Sequence, residues 1–168
     1  IDLAGVEDYK AEFSKQIKNG NYDAVGITAT SPQFYYAHQM LQEVKKLDKR
    51  PRMIIGGSHA SMFTTLRERL ISRFSSQGLN GETLNRRLYE EDPNFKSLEE
   101  FDVIVSGEEN SLEAALNTQE RWVNGGVTEN LDDLPFPARD LFDVNSYLFD
   151  YNGTAKFTIY GKASGSVI

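Results

Sequence analysis

Tyr9, Phe13 and Ile17 recur at every fourth position among polar neighbours, the spacing of one helical face, and predict an amphipathic helix over residues 7–18. Asn19-Gly20-Asn21 ends it, with Gly20 suited to a left-handed cap. The pattern then changes period. Asp23-Ala-Val-Gly-Ile-Thr28 is a short apolar run between turn residues, which predicts a buried parallel strand. Ser31-Pro32 supplies an N-cap and a first-turn proline, and Ala37, Met40, Leu41, Val44 and Leu47 then share one helical stripe that Arg50-Pro51 stops. Met53-Ile-Ile55 reads as the next strand, closed by Gly56-Gly57. This β-α-β unit is the clearest structural signal in the chain.

Downstream the order loosens. Residues 62–74 and 82–90 read as helices, broken by Ser75-Ser-Gln-Gly78 and followed by a turn at Asp92-Pro93-Asn94. A crossover of this length, residues 61–100, is expected to be a surface insertion over the strand ends. Asp102-Val-Ile-Val105 gives a third strand, then a helix over residues 111–122. Residues 130–145 begin with the proline-punctuated string NLDDLPFPARD and suit a linker. In residues 146–168, Asn152-Gly153 between alternating aromatics favours a hairpin. Ile1-Asp2-Leu3 reads as the tail of a strand, and both ends look cut from something longer. The expected fold is α/β, a Rossmann-like (flavodoxin-like) doubly wound parallel sheet, incomplete, with a linker and a hairpin-like tail. Residues 1–129 form the α/β domain.

Composition narrows the function classes. At 168 residues the chain suffices for one domain with a real core. A net charge of −7 with interspersed signs and no basic stripe argues against a nucleic-acid partner. No apolar run reaches about 18 residues, so no membrane span is expected. The absence of cysteine excludes disulfides, thiolate metal sites and iron–sulfur clusters on this piece. With no export signal in it, a cytoplasmic setting is the default.

Candidate chemistry gathers just past the strand ends, where open parallel sheets take their ligands. Thr28, Thr30 and Ser31 place three hydroxyls there, able to bond a ligand or to cap the next helix. Gly56 and Gly57 permit either a sharp turn or close approach of a ligand to the backbone. His59 follows them, as an acid–base group, a metal ligand or a polar contact. Gly107, Glu108 and Glu109 end the third strand, where carboxylates could receive ribose hydroxyls or favour the positive end of the next helix. His38 and the aromatics Phe34, Tyr35 and Tyr36 read as surface and packing groups. Neither G-x-G-x-x-G nor a P-loop is present, and no Ser/His/Asp or Cys/His set can be assembled. Catalysis by this piece alone is not expected.

Taken in order, YDAVGITATSPQF, MIIGGSHAS, FDVIVSGEEN and NLDDLPFPARDLFD resemble the cobalamin-binding domain of cobalamin-dependent radical S-adenosylmethionine proteins, over most of the chain. The resemblance implies a corrinoid held over the carboxyl strand ends. Thr28 and Thr30 would stand for the family's hydroxyl pair beside the nucleotide tail, and Gly56 and Gly57 would admit the tail to the backbone. Gly107 and Glu108 would lie beside the tail or its ribose, and His59 would occupy a position where a histidine often follows the glycine pair. No residue is assigned to cobalt, since the Asp-x-His-x-x-Gly motif of mutase-type relatives is absent. Residues 130–145 would link to a radical S-adenosylmethionine barrel of which residues 146–168 are the start. The iron–sulfur cluster and S-adenosylmethionine would belong to that missing domain, a partner of this one. The family's upstream strand is missing, and its loss is expected to leave residues 23–28 as a sheet edge open to self-association unless another chain or strand covers it. Two other readings stay open: a nucleotide-sugar or small-molecule transferase relying on Glu108, Glu109 and His59, and a cofactor-free flavodoxin-like interaction module.

Overall fold

The computed structural model describes residues 7–107, 110–126, 130, 149–151 and 155–157. By its internal contacts the chain divides into two units, Ile1–Glu129 and Asn130–Ile168. The first holds α1 (Tyr9–Gly20), β1 (Ala24–Thr28), α2 (Ser31–Val44), β2 (Arg52–Gly56), α3 (Ser58–Ser76), α4 (Gly81–Glu91), α5 (Asn94–Leu98), β3 (Val103–Ser106), α6 (Asn110–Asn117) and β4 (Trp122–Asn124). The four strands form one parallel sheet in the order β1-β2-β3-β4. Helices cover both faces, so the α/β, Rossmann-like architecture expected from the pattern is the one observed.

The strand sequences explain why both faces need cover. Met53, Ile54 and Ile55 of β2 are all buried, as a strand packed on two sides requires. Met53, Ile55 and Ile104 face a large core with α1 to α5, whereas Ile54 and Val103 face Ala115 of α6. Among the described residues β1 has no partner on its outer side, which puts residues 24–28 at the edge expected of them.

Several local expectations are corrected. The left-handed cap of α1 is Asn21 (φ 45°, ψ 48°) rather than Gly20. Gly20 is the last helical residue, and a Cβ there would run into the Tyr22 ring. The N-cap of α2 is Thr30, and Ser31 is the first helical residue. Gln33 Oε1 accepts from both the backbone N–H and the hydroxyl of Thr30, 3.0 Å each.

The 61–100 crossover is not a surface insertion. Phe63, Leu70, Phe74, Leu84, Leu88, Phe95 and Leu98 join the main core, and burial of each large side chain stabilises the fold by about 1.5–3 kcal/mol. The turn at residues 92–94 is present, and it launches α5: Asp92 Oδ1 accepts from Asn94 N–H at 2.8 Å and from its side-chain amide at 2.9 Å.

The last helix is shorter than expected, and β4 replaces its end. The Thr118 hydroxyl accepts from Glu120 N–H at 2.9 Å, turning the chain away from helical geometry. Arg52 donates to the carbonyls of Leu116 and Thr118, satisfying groups that the ended helix leaves open. Trp122 and Val123 then extend beside Ile104 and Val105, positions that suit aromatic and β-branched residues.

In the second unit β5 (Phe149–Tyr151) and β6 (Ala155–Phe157) pair antiparallel, Phe149 opposite Phe157, so the hairpin expected around Asn152-Gly153 is formed. The expected strand at residues 1–3 and, apart from Asn130, the linker at 130–145 lie outside the described residues. No helix among the described residues is long and apolar enough to cross a membrane.

Candidate functional site

The carboxyl ends of β2 and β3 are where a crevice is expected, because the chain leaves these neighbouring strands toward opposite faces of the sheet. After Gly56 it turns into α3 on the face of the main core; after Ser106 it turns toward α6 on the other. Loops that diverge in this way leave a gap over the strand ends, the place where open α/β sheets take ligands. Gly56 and Gly57 stand on one side of it and Ser106 and Gly107 on the other. The amino terminus of α3, at exposed Ser58, lies beside the glycines and offers a positive dipole end.

The glycines shape this crevice by meeting the protein's own chain. Gly57 has φ 88°, and a Cβ on it would sit 2.6 Å from Thr28 Oγ1 and 2.8 Å from Ala29 N. That closeness lets two loops lock together: Ala29 N–H donates to Gly56 O, and His59 N–H donates to Ala29 O, 3.1 Å each. Gly107, φ 95°, packs likewise against Gly126, whose carbonyl oxygen would be 2.5 Å from an added Cβ. Gly125 N–H donates to Ser106 O at 2.9 Å and fixes the far wall.

The three hydroxyls separate by role. Thr30 is bonded to Gln33 within the α2 cap. Ser31 Oγ is 3.1 Å from His59 Nδ1. Thr28 is exposed at the end of β1, beside Gly57, and its hydroxyl is the member of the set with no hydrogen-bond partner among the described residues. Glu108 and Glu109 lie outside the described residues. Ser58 and Ser106 belong to the crevice although the sequence reading passed over them. Their signal was position alone, one directly after the glycine pair and one directly before Gly107.

His59 stands apart from the crevice mouth. Its ring is only 3% exposed, stacked on Phe34 at 4.1 Å and tilted against Phe63 at 4.7 Å. Burial pulls its pKa below the ordinary histidine value, with Asp92 opposing. Nε2 is closed from water and has no bonding partner among the described residues. The ring lines a cleft of about 410 Å³ between α2, α3 and the α4–α5 corner. His38, read from sequence as a surface group, is half-buried on the same cleft and 3.1 Å from Glu100.

Charged groups elsewhere are structural. Burial would raise the Glu100 carboxyl, but bonds from Lys45, Gln42 and His38 outweigh it and hold the group at about 2. Asp102 accepts two bonds from Arg50, at 2.8 and 2.9 Å, and one from Met53 N–H at 2.8 Å. Among the described residues no three His, Asp or Glu side chains gather as a metal site. No protein-family model, curated protein or solved structure matches this chain.

Proposed function

We propose that this chain is a cofactor-holding module, and that the group it holds is a corrinoid whose tail lies in the crevice between β2 and β3. The observation that carries the reading is the crevice itself: adjacent parallel strands whose chains depart to opposite faces, with walls of glycine and serine. The ordered motifs resembling cobalamin domains supply the identity of the ligand, and a cytoplasmic setting belongs to the same reading.

The residues present fit an extended polar tail better than a buried ring. Thr28 offers a hydroxyl without a partner among the described residues, Ser58 a hydroxyl at a helix amino terminus, and Gly56 and Gly57 add no side chains of their own. Thr30 and Ser31 act one step back, holding the α2 cap and His59 in place. When bound, the corrinoid supplies methyl transfer or radical chemistry to a substrate held by a companion barrel domain. This chain binds and orients the tail and shields it from water.

The test is a hydroxocobalamin titration of the purified chain, followed by equilibrium dialysis and the visible spectrum. Saturable binding is expected, abolished by Ser58→Trp, which fills the crevice from an exposed position. Thr28→Val removes one hydrogen bond and should weaken binding by about 2- to 10-fold. A folded chain that takes up no hydroxocobalamin saturably overturns the proposal, as does full binding by folded Ser58→Trp.

A further inference from the structure

We propose that the cleft between α2, α3 and the α4–α5 corner is a separate small-molecule site, built for a flat aromatic cation of the amidinium or aminoheteroaromatic class. Its volume of about 410 Å³ lies within the range of small-ligand pockets. Phe34 and Phe63 form the apolar wall. Tyr35 (65% exposed) and Met62 (50% exposed) stand at the rim with their apolar surface facing water. Aromatic and thioether surfaces so placed favour a planar guest.

The polar groups left over set the charge of that guest. Glu100 nearby is neutralised by Lys45 at 2.6 Å. Asp92 lines the cleft and makes no ion pair among the described residues. Its Oδ1 is taken by Asn94, and its Oδ2 has no bond within the described protein. At the floor, His59 Nδ1 is engaged by Ser31, while Nε2 is buried and unpartnered. The cleft thus pairs an uncompensated carboxylate with aromatic walls. An amidinium carries donor edges and a delocalised positive charge on a flat frame, and it answers both the carboxylate and the aromatic walls. This site is independent of the corrinoid reading, since Asp92, Met62 and Phe63 take no part in the crevice.

The probe is benzamidine, titrated into the full chain by calorimetry at pH 7.5 beside neutral benzamide and anionic benzoate. Benzamidine should bind saturably and about tenfold or more tighter than benzamide, with benzoate weakest, because the charge-assisted pair is lost in the neutral analogue. Asp92→Asn keeps an acceptor for Asn94, and should erase most of the preference for benzamidine over benzamide. Met62→Trp, at an exposed rim position, should abolish binding with the circular dichroism spectrum unchanged. Equal binding of all three probes, no saturable benzamidine binding by the folded chain, or an undiminished preference in Asp92→Asn overturns the proposal. Hydroxocobalamin uptake by Asp92→Asn is measured in parallel; its value bears on the crevice alone.

Discussion

Replacing Gly57 by alanine should destabilise the fold more than any other single methyl group added at a glycine of its first unit outside the β3–α6 corner. Two separate costs combine there. The backbone sits at φ 88°, ψ −175°, a region nearly confined to glycine, which costs a substituted residue about 1–3 kcal/mol. The new Cβ would also lie 2.6 Å from Thr28 Oγ1, 2.8 Å from Ala29 N and 2.9 Å from Ala29 O. Two of these three atoms are backbone held by hydrogen bonds, so relief requires prying the β1–α2 loop from the β2–α3 loop, an overpacking cost of about 1–3 kcal/mol. The lower entropy of the unfolded alanine chain offsets part of this, by about 0.4–1 kcal/mol in favour of alanine. The net expectation is a loss of about 2–5 kcal/mol, read from urea unfolding at unchanged m. Two other glycines separate the terms. Gly78 shares the positive φ (83°) but opens to free space, so Gly78→Ala should cost about 1–2 kcal/mol before the same entropic offset. Gly26 has neither feature, and Gly26→Ala should be neutral or stabilise by up to about 1 kcal/mol. If Gly57→Ala and Gly78→Ala cost the same, the interlocked loops are not what requires glycine at this position.

The buried ring of His59 predicts a pH dependence on the acid side. Its pKa is lowered in the folded state, so the unfolded chain binds the proton first: its stabilising effect is complete above about pH 6.5 and is lost as pH falls below that, with a slope of at most about 1.4 kcal/mol per pH unit. His59→Phe should flatten the urea-midpoint profile between pH 5 and 7, and an unchanged slope in that variant would reject the assignment. Glu100, held at about 2, acts lower on the scale: its contribution is present above the ordinary carboxylate pKa and fades as pH drops toward 2, and Glu100→Gln should remove that part of the acid unfolding limb. Phe95 is fully buried against Phe63, so Phe95→Ala should cost about 3–5 kcal/mol in the same assay; a loss under about 1 kcal/mol would return the crossover to the periphery.

The β1–α2–β2 unit was legible because each of its elements carries both a period and a punctuation mark, from Pro32 at the start of α2 to Pro51 directly before β2. The crossover misled in part because some of its core comes from a very short helix: Phe95 and Leu98 sit in a five-residue helix that offers too few turns for a periodic stripe to register. Its core role depends on Phe63 and Trp122, distant in sequence. β4 was hidden for a related reason. Only three residues long, it follows α6 after a turn made by the Thr118 hydroxyl and carbonyl contacts from Arg52, neither of which a local pattern displays. At the site, sequence position correctly placed Thr28, Gly56, Gly57 and Gly107 near strand ends. It could not tell a glycine facing a ligand from one facing its own chain, since both uses leave the same letter. Nor could it divide Thr28 from Thr30 and Ser31, because the division rests on bonds to Gln33 and His59.

Each strand of the sheet lies beside the one that precedes it in the chain, which bears on how the molecule is assembled. A growing polypeptide can add β2 to β1, β3 to β2 and β4 to β3 in the order of synthesis, and no strand has to enter between two already joined. Each addition closes a loop of limited length, so the order of assembly follows the order of translation. The α3–α5 segment is the longest such loop, and docking of its aromatic side chains onto β2 would be the step that admits β3. Exchange-labelled chains trapped during refolding should therefore protect β1 and β2 before β3, with β4 last.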